Sequence, residues 1–415
     1  MSGPDQRDGV TPAAARVYRR DRVTRTLFAA LFCFGMLNAG LGPALPYLRE
    51  AEHLSYLGGV AHQAAFAVGG GLAGLLTARV HRMPARALVI RAGLLAAALA
   101  WLAVGYGNAL AITAGAALLV SLLGTAALIR MWAVLADVHG SWRTLAMTEG
   151  EVAVSFGAII APLLISGLAA TALGWRWSFI LAAALIALIV LATSGVPIPP
   201  SAAPVRIEPR PAGAASRIPP TLVIVFAIVA MEFSLTFWLA SYLSDDVGLD
   251  RQVAVAMVSG LYVANLLGRL LASRLARRFG TAALLGAALA LALAGMLVLL
   301  AADNAVVAVV GVALVGAGGG ATFPLTSSLH VAASPRGADA AIGQVLAAAS
   351  VGQVFGPVVV AVLAQIFDLR VGLFTLAGFA LVAVAALRRS VGSSRGDRRA
   401  TRPGRRTERR VSPPP

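Results

Sequence analysis

The chain has 415 residues, of which 59% are hydrophobic and only 13% charged, and its formal net charge is +16 at pH 7. Proteins on average carry roughly 25% charged residues, so a chain this apolar is expected to lie in a membrane. The basic residues are all arginines, and they concentrate at 7–25 and 388–410. Because both clusters flank apolar segments, they predict membrane topology and argue against nucleic acid as a partner. A single cysteine, Cys33, excludes a disulfide framework and a cysteine metal site.

Twelve apolar segments follow one another along the chain, each near the roughly 20 residues that a helix needs to cross a bilayer. The first six are predicted at 26–48, 55–78, 87–106, 109–132, 145–170 and 177–195. The second six are predicted at 221–243, 252–275, 281–301, 305–329, 339–366 and 371–388. The sequence therefore predicts an all-α integral membrane protein of twelve transmembrane helices.

The segments divide the chain into five regions. A basic tail at 1–25 precedes a six-helix bundle at 26–196, and a proline-rich linker at 197–220 leads to a second bundle at 221–388. An arginine-rich tail at 389–415 is expected to be disordered. Both tails and the linker are expected in the cytoplasm.

Arginines in the loops predict the orientation of the helices. If the N-terminus is cytoplasmic, the outer loops hold at most one arginine each, at Arg49, Arg176, Arg251 and Arg370. The remaining loops and both tails are richer in arginine, so the positive-inside rule places both termini in the cytoplasm. No cleavable signal precedes the first helix. Arginine in place of every lysine indicates a GC-rich bacterial genome, so we expect a multi-pass protein of the bacterial plasma (inner) membrane.

The two predicted bundles repeat each other. The segment 155–162 resembles 351–357, and their prolines, Pro162 and Pro357, are 195 residues apart. Arg176 and Arg370 are 194 residues apart. An internal repeat with a nearly constant offset is typical of transporters built as two halves around a central pathway.

The six-plus-six pattern, the basic loops after the second and eighth helices and the motif at 174–179 resemble the major facilitator superfamily. The resemblance implies two pseudo-symmetric six-helix bundles whose central cavity opens alternately to each side, usually driven by a proton gradient. The family's loop signature has an aspartate where this chain has Ala78 and Arg277. The inner latch that this aspartate forms is therefore not carried over, and Arg79 and Arg278 remain as candidate gating residues.

The fifth and eleventh helices carry matching small-residue motifs. Gly157 precedes Pro162 by five residues, and Gly352 and Gly356 precede Pro357 in the same pattern. Small residues four apart let a neighbouring helix approach closely, and proline bends a helix. The family's exporters carry this pattern, so Gly157, Pro162, Gly356 and Pro357 are candidates for conformational change. The alternative is a packing kink without a role in transport direction.

Charged residues inside membrane segments are costly and usually functional. Glu232 lies near the middle of the seventh helix, where it is either a proton or substrate-cation site or a carboxylate bound to a neighbouring helix. Glu149 and Glu151 lie near the start of the fifth helix, and Arg130 lies in the helix before it. A structural bridge from Arg130 to Glu149 or Glu151 and a coupling site are both open.

Three further residues are weaker candidates. Asn38 and His62 could line the cavity, although a hydrogen bond between helices is the commoner role for each. Trp238 could stack on a ligand or pack as a membrane tryptophan does. No nucleotide-binding, metal or catalytic constellation emerges from the sequence, so neither a cofactor nor enzymatic activity is expected.

These observations favour a secondary active transporter that exports a small organic solute in exchange for protons, an antiporter acting in efflux. An uptake or facilitative carrier for a sugar or organic acid is the first alternative, and a non-transporting membrane sensor or scaffold is the second. The expected partners are the solute, protons and the lipid bilayer, and we expect a monomer.

Overall fold

The computed structural model describes residues 18–79, 85–200, 218–276, 278–334 and 338–400. These residues form α-helices and one 3₁₀ turn (Gly140–Trp142), with no strand among them. The first half contains α1 (Arg22–Ala39), α2 (Leu41–Ala51), α3 (Tyr56–Arg79), α4 (Arg86–Tyr106), α5 (Leu110–His139), α6 (Arg143–Ala169) and α7 (Trp177–Ala192). The second half contains α8 (Pro220–Asp245), α9 (Arg251–Leu275), α10 (Thr281–Leu300), α11 (Ala305–Gly319), α12 (Thr322–Ala333), α13 (Ala338–Ile366) and α14 (Leu369–Ala400). Most of the predicted linker and of both tails lies outside the described residues.

The helices confirm the predicted twelve-helix membrane bundle. Eleven stretches of the described chain are long and apolar enough to cross a membrane, and α7 is a shorter apolar helix of 16 residues. The helix pairs α1–α2 and α11–α12 each make one crossing. We call the side of the bundle at which α1 begins the N-terminal face, and the opposite side, at which α2 ends, the far face.

Two crossings that the sequence predicted as single helices are broken. The first breaks at Gly40 and the tenth at Gly320, between α11 and α12. Pro43 and Pro324 follow these breaks, and proline has no N–H to bond the carbonyl four residues earlier. The carbonyls of Ala39 and Gly320 therefore lose their helical partners, and the helix restarts.

Two helices run further than predicted. α5 continues to His139 and α14 to Ala400, so the arginine-rich segment expected to be disordered from 389 begins inside a helix. Extending an existing helix costs little because only nucleation is unfavourable.

The small-residue motifs bring helices together within each half. A Cβ on Gly157 of α6 would overlap the carbonyl oxygen of Phe32 in α1, and a Cβ on Gly356 of α13 would overlap that of Ala230 in α8. Pro162 and Pro357 lie inside α6 and α13, which remain continuous helices. The motifs thus set equivalent contacts, α1 with α6 and α8 with α13.

Arginines at the far face repeat the same contact in both halves. Arg176 donates from Nε to the carbonyl of Gly105 at 3.1 Å, and Arg370 donates from Nη2 to the carbonyl of Ala302 at 3.1 Å. Each guanidinium therefore neutralises carbonyls at the end of a neighbouring helix. The sequence repeat is a repeat of tertiary contacts.

Histidines hold the N-terminal face of each half in a similar way. His139 lies 2.8 Å from the hydroxyl of Thr24, and His330 lies 2.7 Å from that of Thr221. The other ring nitrogen of His330 is 3.1 Å from the side-chain oxygen of Gln344. These contacts join the first helix of each half to its fourth crossing.

Candidate functional site

Among the described residues, the two halves contact each other mainly through three helix pairs, α2–α8, α3–α13 and α6–α9, with a smaller contact between α2 and α9. α6 and α9 run antiparallel and exchange hydrogen bonds between the far face and the middle of the bundle. Ser166 donates to the carbonyl of Gln252 at 2.7 Å near the far face, and Ser259 donates to that of Ile159 at 2.7 Å near the middle. This interface therefore forms one side of any pathway for a solute between the two halves.

Charged side chains join the halves at the far face. Arg49 at the end of α2 pairs with Asp245 at the end of α8, with 3.0 Å between Nη1 and Oδ2. The Tyr56 hydroxyl donates to the same carboxylate at 3.2 Å, and the Arg49 guanidinium lies 3.9 Å from the Tyr56 ring centroid. Arg251 pairs with Glu50 beside them. We call these five residues the far-face contact; it closes the bundle on that side.

Beneath the far-face contact the backbones of the halves touch. A Cβ on Gly42 of α2 would lie 2.8 Å from Cα of Phe237 and would overlap the carbonyl oxygen of Thr236. Only glycine fits between α2 and α8 at this point. Closure at the far face therefore depends on a glycine as well as on charge.

Burial raises the pKa of two acidic groups beside the far-face contact. The pKa of Glu52 is raised by burial, although the Thr113 hydroxyl donates to its carboxylate at 3.2 Å. Burial also raises the pKa of Asp246, which accepts from the backbone N–H of Arg370. A carboxyl with a raised pKa holds its proton more readily here than in water. A falling pH therefore favours the conformation that buries both groups.

A cavity of about 500 Å³ opens on the N-terminal face. It lies between α6 of the first half and α9 and α12 of the second. Its polar lining includes Thr148, Glu151, Arg269 and Ser327, and Phe323 contributes an aromatic wall. The bundle is thus joined at the far face and open between the halves at the N-terminal face.

Arg269 is the central charge of this cavity. Its Nη1 lies 3.5 Å from Oε2 of Glu151 in the other half, and its Nε donates to the carbonyl of Gly320 at 3.1 Å. That carbonyl has no helical partner because of Pro324. One guanidinium therefore connects both halves and stabilises the break between α11 and α12.

Glu232 is the second carboxylate near Arg269. It is half-buried in the middle of α8 and interacts electrostatically with Arg269 and with Tyr262 of α9. Its carboxylate makes no hydrogen bond or ion pair to the part of the chain that the structure describes. A carboxylate at this depth without a hydrogen bond or ion pair is expected to exchange protons or to bind a cation.

The bridge from Arg130 to Glu149 or Glu151, one of the two alternatives that the sequence left open, does not form in this structure. Glu149 accepts a bidentate pair from Arg20, at 2.9 and 2.6 Å, and a 2.7 Å hydrogen bond from Tyr18. Glu151 pairs with Arg269 instead. Burial and the hydrogen bond to Glu149 raise the pKa of Tyr18 to about 12, so this tyrosine remains a donor. Glu149 holds the N-terminal segment, whereas Glu151 lies in the cavity.

The other predicted pathway residues occupy different environments. Asn38 is exposed at the break after α1, with buried neighbours on both sides, so it faces open space. His62 is fully buried and hydrogen bonds to the Thr113 hydroxyl at 2.9 Å. Trp238 is also fully buried, and its indole donates to the carbonyl of Pro357 at 3.1 Å. His62 and Trp238 therefore join helices in this conformation.

The structure says little about the two candidate gating residues, Arg79 and Arg278. Arg79 ends α3, and its side chain lies outside the described residues. Arg278 is exposed in the turn between α9 and α10.

The sequence interpretation missed the far-face contact and did not name Arg269 as a site residue. The sequence does contain a signal for the far-face contact, because Arg49 and Asp245 are 196 residues apart, close to the offset between the two repeats. They occupy equivalent positions in the two halves and carry opposite charges. Equivalent positions meet near a pseudo-two-fold axis, so complementary charges there predict a pair between the halves.

The structure and the sequence define a multi-pass membrane protein with a transporter fold. The Major Facilitator Superfamily model matches residues 27–343 and 222–413. The chain belongs to the major facilitator superfamily. No curated protein matches the sequence significantly.

Solved transporter structures share this fold at low sequence identity. A bacterial homolog of the human lysosomal transporter Spinster, in an inward-facing and occupied conformation, is 16% identical with a TM-score of 0.72, covering 92% of this chain and 99% of that one. A variant of the nucleoside transporter NupG is 14% identical with a TM-score of 0.71, covering 89% and 100%. The human organic anion transporter MFSD10 is 18% identical with a TM-score of 0.64, covering 89% and 100%. At these identities the likeness concerns the fold.

Within the far-face contact, we expect the Arg49–Asp245 pair to stabilise closure more than the Arg251–Glu50 pair. The side chains of the first pair are 17% and 35% exposed, against 38% and 66% for the second. Exposed pairs contribute about 0–1 kcal/mol, whereas Arg49 also stacks on Tyr56. Arg49→Gln should therefore open the far face more than Glu50→Gln does.

Spin labels at Ala172→Cys and Ala301→Cys lie on exposed far-face turns of the two halves. The distance between the two labels reports how far the halves separate at the far face. The buried Cys33 remains unlabelled. An Arg49→Asp/Asp245→Arg double variant should recover part of the closed population. Equal opening by Arg49→Gln and Glu50→Gln would contradict the ranking.

Proposed function

We propose that the chain is a secondary active transporter that exports a small organic solute in exchange for protons. The N-terminal face is the cytoplasmic side, in agreement with the arginine distribution. The cavity then opens to the cytoplasm, from which a solute would enter. Because both halves and the cavity belong to one chain, we propose a monomer in the bacterial inner membrane.

The observation that carries this proposal is the position of Arg269 between two carboxylates. Glu232 belongs to the same half as Arg269, whereas Glu151 belongs to the other half. When Glu232 is charged, it attracts Arg269 and competes with Glu151. When Glu232 is protonated, this competition ends, and the Arg269–Glu151 pair, 3.5 Å apart in the open structure, tightens and draws the halves together at the N-terminal face. Protonation is thereby linked to closure of the cavity.

This linkage suits exchange of a proton for a solute. In the conformation open to the N-terminal face, a cationic or neutral apolar solute in the cavity would favour the charged form of Glu232 and release of its proton. A solute that neutralises or shields Glu232 as the proton did would let the cavity close with the solute bound, and once the far face has opened, a proton from that side would replace the solute. The apolar wall at Phe323 and the unpaired carboxylate fit such a solute better than an anion.

A solute screen tests both direction and energy source. Cells that express the chain are loaded with candidate cationic and neutral solutes, and efflux is measured with the proton gradient intact and after its collapse by an ionophore. Export that stops on collapse is the expected result. Cells that express the Glu232→Gln variant are the matched control, and their efflux is subtracted as the background.

Three other outcomes would contradict the proposal. Gradient-dependent accumulation of a sugar or organic acid would identify an uptake carrier, and equal flux with and without the gradient would identify a facilitative one. Absence of flux for every solute, together with pH-independent distances at the spin labels, would favour a sensor or scaffold.

A further inference from the structure

Three polar side chains of the first half form a hydrogen-bonded line near the far face. Nδ1 of His62 lies 3.1 Å from the carbonyl oxygen of Gly59, and Nε2 lies 2.9 Å from the hydroxyl of Thr113. The same hydroxyl lies 3.2 Å from Oε2 of Glu52. We call His62, Thr113 and Glu52 the polar triad. His62 and Thr113 are fully buried, whereas Glu52 is half-buried at the end of α2, so Glu52 is the member nearest to the far-face solution.

The three contacts of the polar triad need one proton more than a neutral histidine and a charged carboxylate provide. Each hydrogen bond needs a proton between its two heavy atoms. A neutral imidazole supplies one and the Thr113 hydroxyl supplies one, whereas a carboxylate and the Gly59 carbonyl supply none. Without a third proton, two lone pairs would face each other inside the protein. Donation by the hydroxyl to the carbonyl of Ala109, 3.2 Å away, would only raise this requirement.

The third proton lies at one end of the triad or at the other. With Glu52 charged, the Thr113 hydroxyl donates to it, and His62 donates from both ring nitrogens. With Glu52 protonated, the carboxyl donates to the hydroxyl, the hydroxyl donates to Nε2, and all three groups are neutral. Oε1 of Glu52 is inaccessible to solvent and has no hydrogen-bonding partner in the described part of the chain, which favours the neutral arrangement. Both arrangements hold the same number of protons, so the triad binds its third proton as a unit.

The charged groups around the polar triad leave it without an ion pair. Arg176, in the turn before α7, attracts the Glu52 carboxylate but is bonded to a carbonyl of α4. The stretch of α13 that packs beside α3 has no titratable side chain at 341–366, and α5 has its charged residues towards the N-terminal face. Three further titratable groups near the end of α2 are exposed or belong to the far-face contact: Arg49, Glu50 and His53. Among the described residues, the third proton is therefore what neutralises the triad.

The second half has no equivalent of the polar triad. The residues that correspond to His62 and Thr113, 196 and 195 positions later, are Val258 and Ala308. Both are fully buried, as His62 and Thr113 are. Apolar side chains therefore suffice for packing at this place in the repeat. The fold does not require a histidine and a hydroxyl here.

We propose that the polar triad binds one regulatory proton, which it takes up from the far-face solution when the far face closes. The line of hydrogen bonds ends inside the protein at the Gly59 carbonyl, so the proton has no onward route to the cavity. It returns to the side from which it came. This proton is distinct from the one that Glu232 exchanges, and the proposal goes beyond the proposed transport cycle.

The triad connects this proton to the far-face contact through α2. Glu52 directly follows α2, whose last turn carries Arg49. With the third proton bound, the triad holds the end of α2 against α3 and α5. Without it, one contact lacks a proton, and Glu52, the half-exposed member, turns to water and releases the end of α2. Because the closed conformation binds the proton more tightly, closure is favoured at low pH and is lost as pH rises.

The pH dependence of the far-face distance in the purified full chain tests the site. The spin labels at Ala172→Cys and Ala301→Cys are introduced together with Glu232→Gln and Asp246→Asn, which remove the contributions of the other two carboxyl groups. In this background, the ratio of closed to open molecules should fall as pH rises, by at most about tenfold per pH unit, which is the limit for a single proton.

Three substitutions distinguish a shared proton from a carboxyl group that titrates alone. Glu52→Gln, whose amide donates to the hydroxyl as a carboxyl group would, should keep the far face closed at every pH. Thr113→Val removes the hydroxyl that bridges the triad, so Glu52 should turn to water and the far face should open at every pH. His62→Gln can donate to the hydroxyl while Glu52 stays charged, so it should lose the pH dependence although it does not touch Glu52. Thr113→Ser is the matched control and should retain the pH dependence.

Full pH dependence in Thr113→Val or in His62→Gln would show that Glu52 titrates alone and would overturn the proposal. Absence of pH dependence in the background that retains the triad would overturn it as well. If His62→Gln does not fold, the comparison of Thr113→Val with Thr113→Ser decides. Because every variant already carries Glu232→Gln, these outcomes require no solute and leave the exporter proposal unchanged.

Discussion

Replacement of Glu232 by glutamine is expected to lower proton-driven transport about a hundredfold, within the usual range of coupling between two sites. Glutamine preserves the shape of the side chain but cannot take up or release a proton. Arg269 would then pair with Glu151 irrespective of pH, and closure of the cavity would lose its link to protonation. The measurement is flux of the solute identified by the efflux screen into or out of reconstituted vesicles under an imposed pH gradient.

Glu149→Gln is the matched control for this prediction. It makes the same chemical change in α6 at a carboxylate that pairs with Arg20 and Tyr18 outside the cavity. We expect it to weaken attachment of the N-terminal segment while proton-driven flux remains near the wild-type level. If Glu232→Gln transports at the wild-type rate with an unchanged dependence on pH, Glu232 has no part in coupling.

A second measurement needs no solute. In the wild type, the distance between spin labels at Ala172→Cys and Ala301→Cys should depend on pH, because protonation shifts the population between conformations. Glu232→Gln should remove the part of that dependence that arises in the cavity. The part due to the raised pKa values of Glu52 and Asp246 should remain, with the far face closing as pH falls.

The sequence predicted the architecture because the bilayer imposes simple rules. Every crossing must be a long apolar helix, and all twelve were placed within a few residues at most ends. The breaks at Gly40 and Gly320 were missed because counting apolar residues takes no account of prolines near the middle of a crossing. Pro43 and Pro324 carried that signal.

The candidate site was predicted only in part. The sequence gives the position of a residue on its helix, but it does not show which other helix that residue faces. Glu232 and Glu151 were found from their charge and depth. Their partner was not, since Arg269 lies near the end of α9, where arginines commonly extend into the headgroups. A bridge between Arg130 and Glu151 was considered because the two residues lie on consecutive crossings. Their directions in the bundle depend on packing that only the structure shows.

Replacement of Gly42 by valine is expected to reduce transport to the background level. A side chain at this position would overlap the carbonyl of Thr236, where α2 of one half meets α8 of the other. Close-packed backbones do not yield without moving apart. The halves would therefore separate at the far face, and the Arg49–Asp245 pair could not form. Alternating access requires this face to close, so the variant should bind solute but fail to complete the cycle.

Gly167→Val is the matched control for Gly42→Val. Gly167 also lies in a helix near the far face, but a Cβ there would meet no atom within 4 Å. Both substitutions place the same β-branched residue in a helix, so their intrinsic helix cost is similar. The spin-label distance should lengthen in Gly42→Val and stay unchanged in Gly167→Val. Wild-type flux in Gly42→Val would show that contact between α2 and α8 is dispensable for transport, and the far-face contact would then stabilise the fold without controlling access.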